Sequence, residues 1–164
     1  IDRCDRLCAA EKRFDRPDGI RRLAALLPRV PKVASIALAR LALSQAQRDR
    51  VMALATRRIN RRDDRSLRRS IWLNGVQVSI DLAVMAVADG EIDDAGESIR
   101  LARSWWPEPF PLGGGDVIAR GVLPGPEVGR LLDAMRSWWI EGDFLAGRDA
   151  CLRQLDRLIE TSRA

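Results

Sequence analysis

Between Arg57 and Arg69 the chain carries seven arginines, Arg57, Arg58, Arg61, Arg62, Arg65, Arg68 and Arg69, against only Asp63 and Asp64. That local surplus of five equals the net charge of the whole chain, +5 from 28 basic and 23 acidic residues, so the rest of the sequence is neutral. A surplus confined to one segment suits a polyanion, whereas charge spread evenly mainly serves solubility. Arginine adds a planar fork that engages two phosphate oxygens at once and stacks on bases. The competing reading is a solvated loop and helix face with internal pairs such as Asp64 with Arg68. Other chemistry is scarce. There is no histidine or tyrosine, so proton transfer is left to carboxylates, thiols and lysine, and the only lysines are Lys12 and Lys32. The adjacent pairs Asp63–Asp64 and Asp93–Asp94 sit at expected helix starts, where capping is the simpler role. Three cysteines, Cys4, Cys8 and Cys151, without a histidine make a poor metal set and are expected to be buried free thiols.

The elements that must position the arginines read as helices throughout. Cys4, Leu7, Cys8 and Phe14 mark a helix over 2–14, ended by Asp15-Arg16-Pro17-Asp18-Gly19. Ile20, Leu23, Ala24 and Leu27 repeat at helical spacing up to Pro28, and Pro31 opens a segment carrying Val33, Ile36, Ala37 and Leu41. Ser44 and Gln47 form a capping box ahead of Val51, Leu54 and Ala55. The segment from Val76 to Asp89 is ambiguous, with Val76, Val78, Ile80 and Leu82 alternating like a strand. Val76, Ile80, Ala83, Val84 and Val87 fit a helix, and the apolar length favours the helix, expected to be the most buried. A further helix is expected over 94–105 and a last one over 148–159. Trp105 and Trp106 stand in a proline-stiffened connector ending at Pro111, where packing is favoured over base stacking.

Phe110 to Phe144 holds glycines, prolines and aromatics at unusual spacings. Asp116 is expected to cap a short helix closed by Gly121, and Pro126 to start a longer one with Val128, Leu131, Leu132 and Met135 on its apolar face. Gly125 and Gly129 suggest close backbone approach, to a neighbouring helix or to a phosphate, with packing preferred.

The run Gly115-Asp116-Val117-Ile118, Gly121, Gly125-Pro126-x-Val128-Gly129-x-x-Leu132 resembles the tail of bacterial class II tRNA nucleotidyltransferases, the CCA-adding and poly(A) polymerase superfamily. Trp138-Trp139-Ile140 followed by Gly142-Asp143-Phe144 is similar to the continuation in proteobacterial members, and Arg21 to Pro28 with Leu38 to Arg50 resembles their body region. One departure is Gly114, where many relatives carry asparagine. The resemblance implies an all-α bundle of about nine short helices, with a body over 1–88 and a tail over 89–164. It implies tRNA or another RNA as partner, gripped by body and tail; the arginine segment, on its charge, and Arg120 and Arg130 beside the tail turn are the candidate contacts. Magnesium, ATP and CTP are implied only for a catalytic head, whose Gly-Ser signature and paired aspartates are not recognisable here, so no catalytic residue is assigned.

The chain begins at Ile1 rather than Met and is expected to be a trimmed or excised part of something longer. With 46% hydrophobic residues and no apolar run near the roughly 20 residues that span a bilayer, a soluble, cytoplasmic chain is expected. Two other classes stay open on the residues alone. One is a helical protein-interaction or structural module whose arginines meet an acidic protein, and the other is a DNA-binding helix-turn-helix domain.

Overall fold

The computed structural model describes residues 2–59 and 63–163. Among them every regular element is an α-helix and no strand occurs, with ten helices where about nine were expected. The chain divides into two compact units, Ile1–Trp106 and Pro107–Ala164. The division falls later than residues 88/89 because the seventh helix packs on the sixth and so belongs with the first unit.

The first unit contains α1 (Arg3–Phe14), α2 (Gly19–Leu26), α3 (Pro31–Ala39), α4 (Gln45–Thr56), α5 (Asp64–Asn74), α6 (Val76–Ala88) and α7 (Gly96–Ser104). α6 is its axis, with α1, α2, α4, α5 and α7 all packed against it. Every residue from Ser79 to Ala86 is buried, so the apolar character that mimicked a strand serves a helix covered on all sides. Gly75, at φ +78°, ends α5 and starts α6 at once. A Cβ there would meet nothing within 4 Å, so the demand on glycine is the left-handed turn itself. Ser44 and Gln47 form the expected capping box, and Asp63 caps α5 by accepting the Ser66 N–H at 2.7 Å. Asp94 accepts the Gly96 N–H at 2.6 Å just ahead of α7, which starts two residues later than expected.

Where α1, α2, α4 and α6 meet, the core contains charge. Arg21 and its neighbours Glu11 and Asp81 have wholly buried side chains. The Arg21 Nε lies 3.4 Å from Asp81 and 3.7 Å from Glu11, and its Nη2 donates to Asp15 at 2.9 Å. Arg50 bridges Asp81 at 2.7 Å and Asp18 at 2.8 Å, while Arg22 reaches Glu11 from the surface at 2.9 Å. The Arg21 Nε and Nη1 are buried without a hydrogen bond, so their compensation is Coulombic.

The second unit contains α8 (Gly114–Ile118), α9 (Pro126–Glu141) and α10 (Arg148–Arg163), with α8 and α10 each packed on α9. Trp139 is its anchor, 1% exposed, with its ring edge-on to Phe110 and Phe144 at 5.5 and 5.0 Å. Its indole N–H donates to the Ala146 carbonyl at 3.0 Å. Asp143 and Phe144 take left-handed φ of 58° and 65° after α9, the reversal that lays Phe144 on Trp139. Cys151 is buried, as expected, and burial pushes its thiol pKa up. Cys4 and Cys8 are only half-buried, because they flank the face of α1 that buries Leu7, Ala10 and Glu11.

Removing one member of the Arg21 cluster leaves an uncompensated buried charge, so Asp81→Ala is expected to destabilise the first unit by about 3–5 kcal/mol in urea unfolding. Asp18 supplies a pH dependence. Burial raises its pKa, but the Arg21 N–H and the Arg50 guanidinium outweigh that and hold it below the ordinary 3.8. Its contribution is therefore complete above the ordinary carboxylate range and lost as pH falls through its lower native pKa. Unfolding midpoints measured from pH 7 to strongly acidic pH should fall less steeply in Asp18→Asn than in the parent.

Candidate nucleic-acid interface

The arginine segment opens a cleft. α4 ends at Thr56, and Arg57 and Arg58 leave it in extended chain beside α5. Along α5, Ser66, Arg69, Ser70, Leu73 and Asn74 recur at i, i+3, i+4, i+7 and i+8, the spacing of one helix face. The two walls enclose about 530 Å³. Three guanidinium groups thus line one concavity, with two hydroxyls and an amide between them.

Each wall residue is held differently. Arg57 donates to the Asn74 Oδ1 at 2.6 Å, and the Asn74 amide donates to the Ser70 carbonyl and hydroxyl at 2.9 and 3.1 Å. This chain of bonds braces Arg57 against α5. Arg58 pairs with Glu91. Arg69 has no ion-pair or hydrogen-bond partner among the described residues, so its fork is the one most ready for an external anion. Leu73 is 56% exposed and offers a small apolar surface beside the charges. At the rim, the Ser66 N–H and hydroxyl hold the Asp63 carboxyl below its usual range, so one negative charge persists at the head of α5.

The sequence-assigned arginines are therefore not one patch. Arg57, Arg58 and Arg69 converge. Arg65 and Arg68 lie on α5 but do not line the cleft, and Arg61 and Arg62 fall outside the described residues. In the second unit Arg120 donates to Asp156 and to the Asp116 carbonyl, and Arg130 pairs with Glu127 one turn away. Hydrogen bonds from Arg130 to Glu127 raise the guanidinium pKa. Both tail arginines are thus paired with a carboxylate, as Arg58 is in the cleft, whereas Arg69 has no such partner among the described residues. Ser66, Ser70, Leu73 and Asn74 were missed in the sequence; their signal was the helical stripe, visible only once α5 is placed against the end of α4.

The tail motif is structural in detail. Asp116 is not the cap itself but the third residue of α8, and its carboxylate reaches back to the Gly113 N–H at 2.8 Å. The Arg148 side chain, foremost, and the Gly113 N–H hold that carboxyl below its usual range, tying α8 to the start of α10. Gly121, at φ +79°, closes the turn as expected, and Pro126 is the first residue of α9. Close approach to a neighbouring helix at Gly125 and Gly129 is not found: a Cβ at either would meet nothing within 4 Å. Gly125 answers instead to its backbone, φ 156° at the head of α9, where a side chain would be strained. Trp138 is half-buried beside the fully buried Trp139. In the connector, Trp105 packs on the first core but Trp106 is 76% exposed, so packing accounts for only one of the pair.

Among the described residues no three histidine, cysteine, aspartate or glutamate side chains gather as metal ligands, and no helix is long and apolar enough to cross a membrane. No protein-family model and no curated protein sequence matches the chain.

Open space at Gly129 reverses the cost expected from overpacking. Gly129→Ala is expected to stabilise α9 by about 0.5–1 kcal/mol, because alanine loses less backbone freedom on folding. A rise in melting temperature would check it, and a fall would restore a close contact at this position.

Proposed function

We propose that this chain is the RNA-gripping part of a template-independent nucleotidyltransferase that extends RNA 3′ ends, with tRNA as its substrate. The observation that carries the proposal is the convergence of Arg57, Arg58 and Arg69 on one cleft, with the Ser70 hydroxyl between them. Guanidinium forks bind phosphate oxygens in pairs and hold a sugar-phosphate backbone without demanding a base sequence. The tail resemblance supplies the enzyme class. In this reading the magnesium ions, ATP and CTP belong to a catalytic head, and the helices described above hold the substrate in register while it is extended.

Each phosphate neutralised releases condensed counterions, so log affinity falls with log salt by about 0.7–0.9 per contact. Arg57→Ala with Arg69→Ala is expected to weaken tRNA binding and to flatten that dependence by about 1.4–1.8 if each arginine holds one phosphate. Folding should change little, since exposed ion pairs contribute about 0–1 kcal/mol. The comparison is Arg153→Ala with Arg157→Ala on α10, which should bind nearly as the parent does. Titrations at several salt concentrations decide the matter: equal binding by both double variants at every salt sinks the proposal. Tighter binding to duplex DNA would point to the helix-turn-helix alternative, and capture only of acidic proteins to an interaction module. A separate expectation is that this chain, given tRNA, ATP, CTP and magnesium, incorporates no nucleotide, as read by gel with labelled ATP.

A further inference from the structure

The first unit has a second arginine-lined cleft, of about 500 Å³, between the end of α1 and α7, and its chemistry differs from the first. One wall is Arg13 and Phe14, with the Arg13 guanidinium carbon stacked 4.5 Å from the Phe14 ring centre. The other is the α7 face bearing Ile99, Arg100, Arg103 and Ser104, on which Ile99 is buried and forms an apolar floor. Charge here is balanced rather than surplus. Arg13 donates to Asp94 at 3.2 Å and to the Asp93 carbonyl at 3.3 Å, and Arg103 donates to Asp15 at 3.1 Å. Glu97 adds a further carboxylate in the first turn of α7. Arg100 alone among the three arginines has no ion-pair partner in the described residues.

A phosphate is a poor match for a cleft with that many carboxylates around it. A flat, neutral ring is a better one. The Arg13–Phe14 stack offers planar surface of the kind that receives unpaired RNA bases, and the Ile99 floor excludes water beneath it. Arginine has only donors, five in a fork, so the edge it selects must present two neighbouring acceptors. Guanine does so with O6 and N7, whereas adenine places a donor beside its N7. We propose that this cleft binds an unpaired guanine base, stacked on the Arg13–Phe14 wall with Arg100 bonded to its O6/N7 edge. The RNA reading above supplies the source of that base, but the site stands on its own lining residues and can be tested without RNA.

The probe is guanosine monophosphate, titrated into the chain and followed by amide chemical shifts. The expected result is saturable shifts centred on Phe14, Gly96, Ile99 and Arg100, with adenosine monophosphate binding at least several-fold more weakly. Ribose 5-phosphate should produce none. Arg100→Ala, at an exposed position, should lose most of the guanine preference while keeping the parent's circular dichroism. Phe14→Leu, which keeps apolar bulk but removes the ring, should lose affinity for both purines. Absence of shifts at this cleft overturns the proposal, as does equal binding of ribose 5-phosphate, which would mark a phosphate site. Retention of the guanine preference in Arg100→Ala also overturns it. Failure of the RNA reading is seen elsewhere, in tRNA binding unaffected by Arg57→Ala and Arg69→Ala, and leaves the nucleotide titration independent.

Discussion

A guanidinium with no exposed surface must be matched by carboxylates brought to it from other elements, and in the first unit that requirement joins four helices. Arg21 comes from α2, Glu11 from α1, Asp81 from α6, and Arg50 of α4 closes the cluster through Asp81 and Asp18. Taking such groups out of water costs several kcal/mol per ion, so the cluster is only tolerable when all its members are in place. An apolar contact would accept many shifted arrangements of α1 and α2 on α6. The Arg21 cluster does not, because a small displacement leaves a buried charge alone. The outer helices thereby acquire a defined seat on α6, and both clefts depend on it. Arg13 and Phe14 lie on α1 just beyond Glu11, and Arg57 and Arg58 follow α4 just beyond the segment Arg50 anchors.

Much of the arginine in this chain is structural. Arg48 donates to the carbonyls of Leu38, Leu41 and Leu43, tying the turn after α3 to the start of α4. Arg3 and Arg29 both hold Asp89 at the end of α6. Arg120 and Arg148 link α8 to α10. Composition counts these beside Arg69 and Arg100, yet the field available to a ligand comes from the few guanidinium groups that the fold leaves without a carboxylate. That distinction separates the two clefts, one with charge in excess and a hydroxyl-lined wall, the other balanced and built around a ring.

The second unit relies on a different constraint. It has few residues for a core, and Trp139 is the largest of its fully buried side chains, with Phe110 and Phe144 edge-on to it. Three glycines around α8 and α9 shape the chain path or stand clear of other atoms. Gly121 and Gly125 permit backbone turns, and Gly129 faces open space. The motif that singles out this stretch in the sequence is therefore a set of turn and cap instructions wrapped around one tryptophan.

Local physics made the helices legible in the sequence: Ser44 with Gln47, Pro31, Pro126 and Gly121 act within a few residues of themselves, and apolar spacing needs no partner to be read. The concentration of charge between Arg57 and Arg69 was likewise a property of the sequence alone. Which of those arginines share a concavity was not, because Arg57 and Arg69 come together only when α5 lies against the end of α4. The same holds for the charged core. Glu11, Arg21 and Asp81 are scattered over three helices, and although Asp81 stands in the apolar run of α6, nothing in the sequence says which charges meet it, so only packing reveals that they are buried together. The second cleft was illegible for that reason too, since Phe14 and Arg100 lie far apart in the chain and become one site through the seating of α1 and α7 on α6.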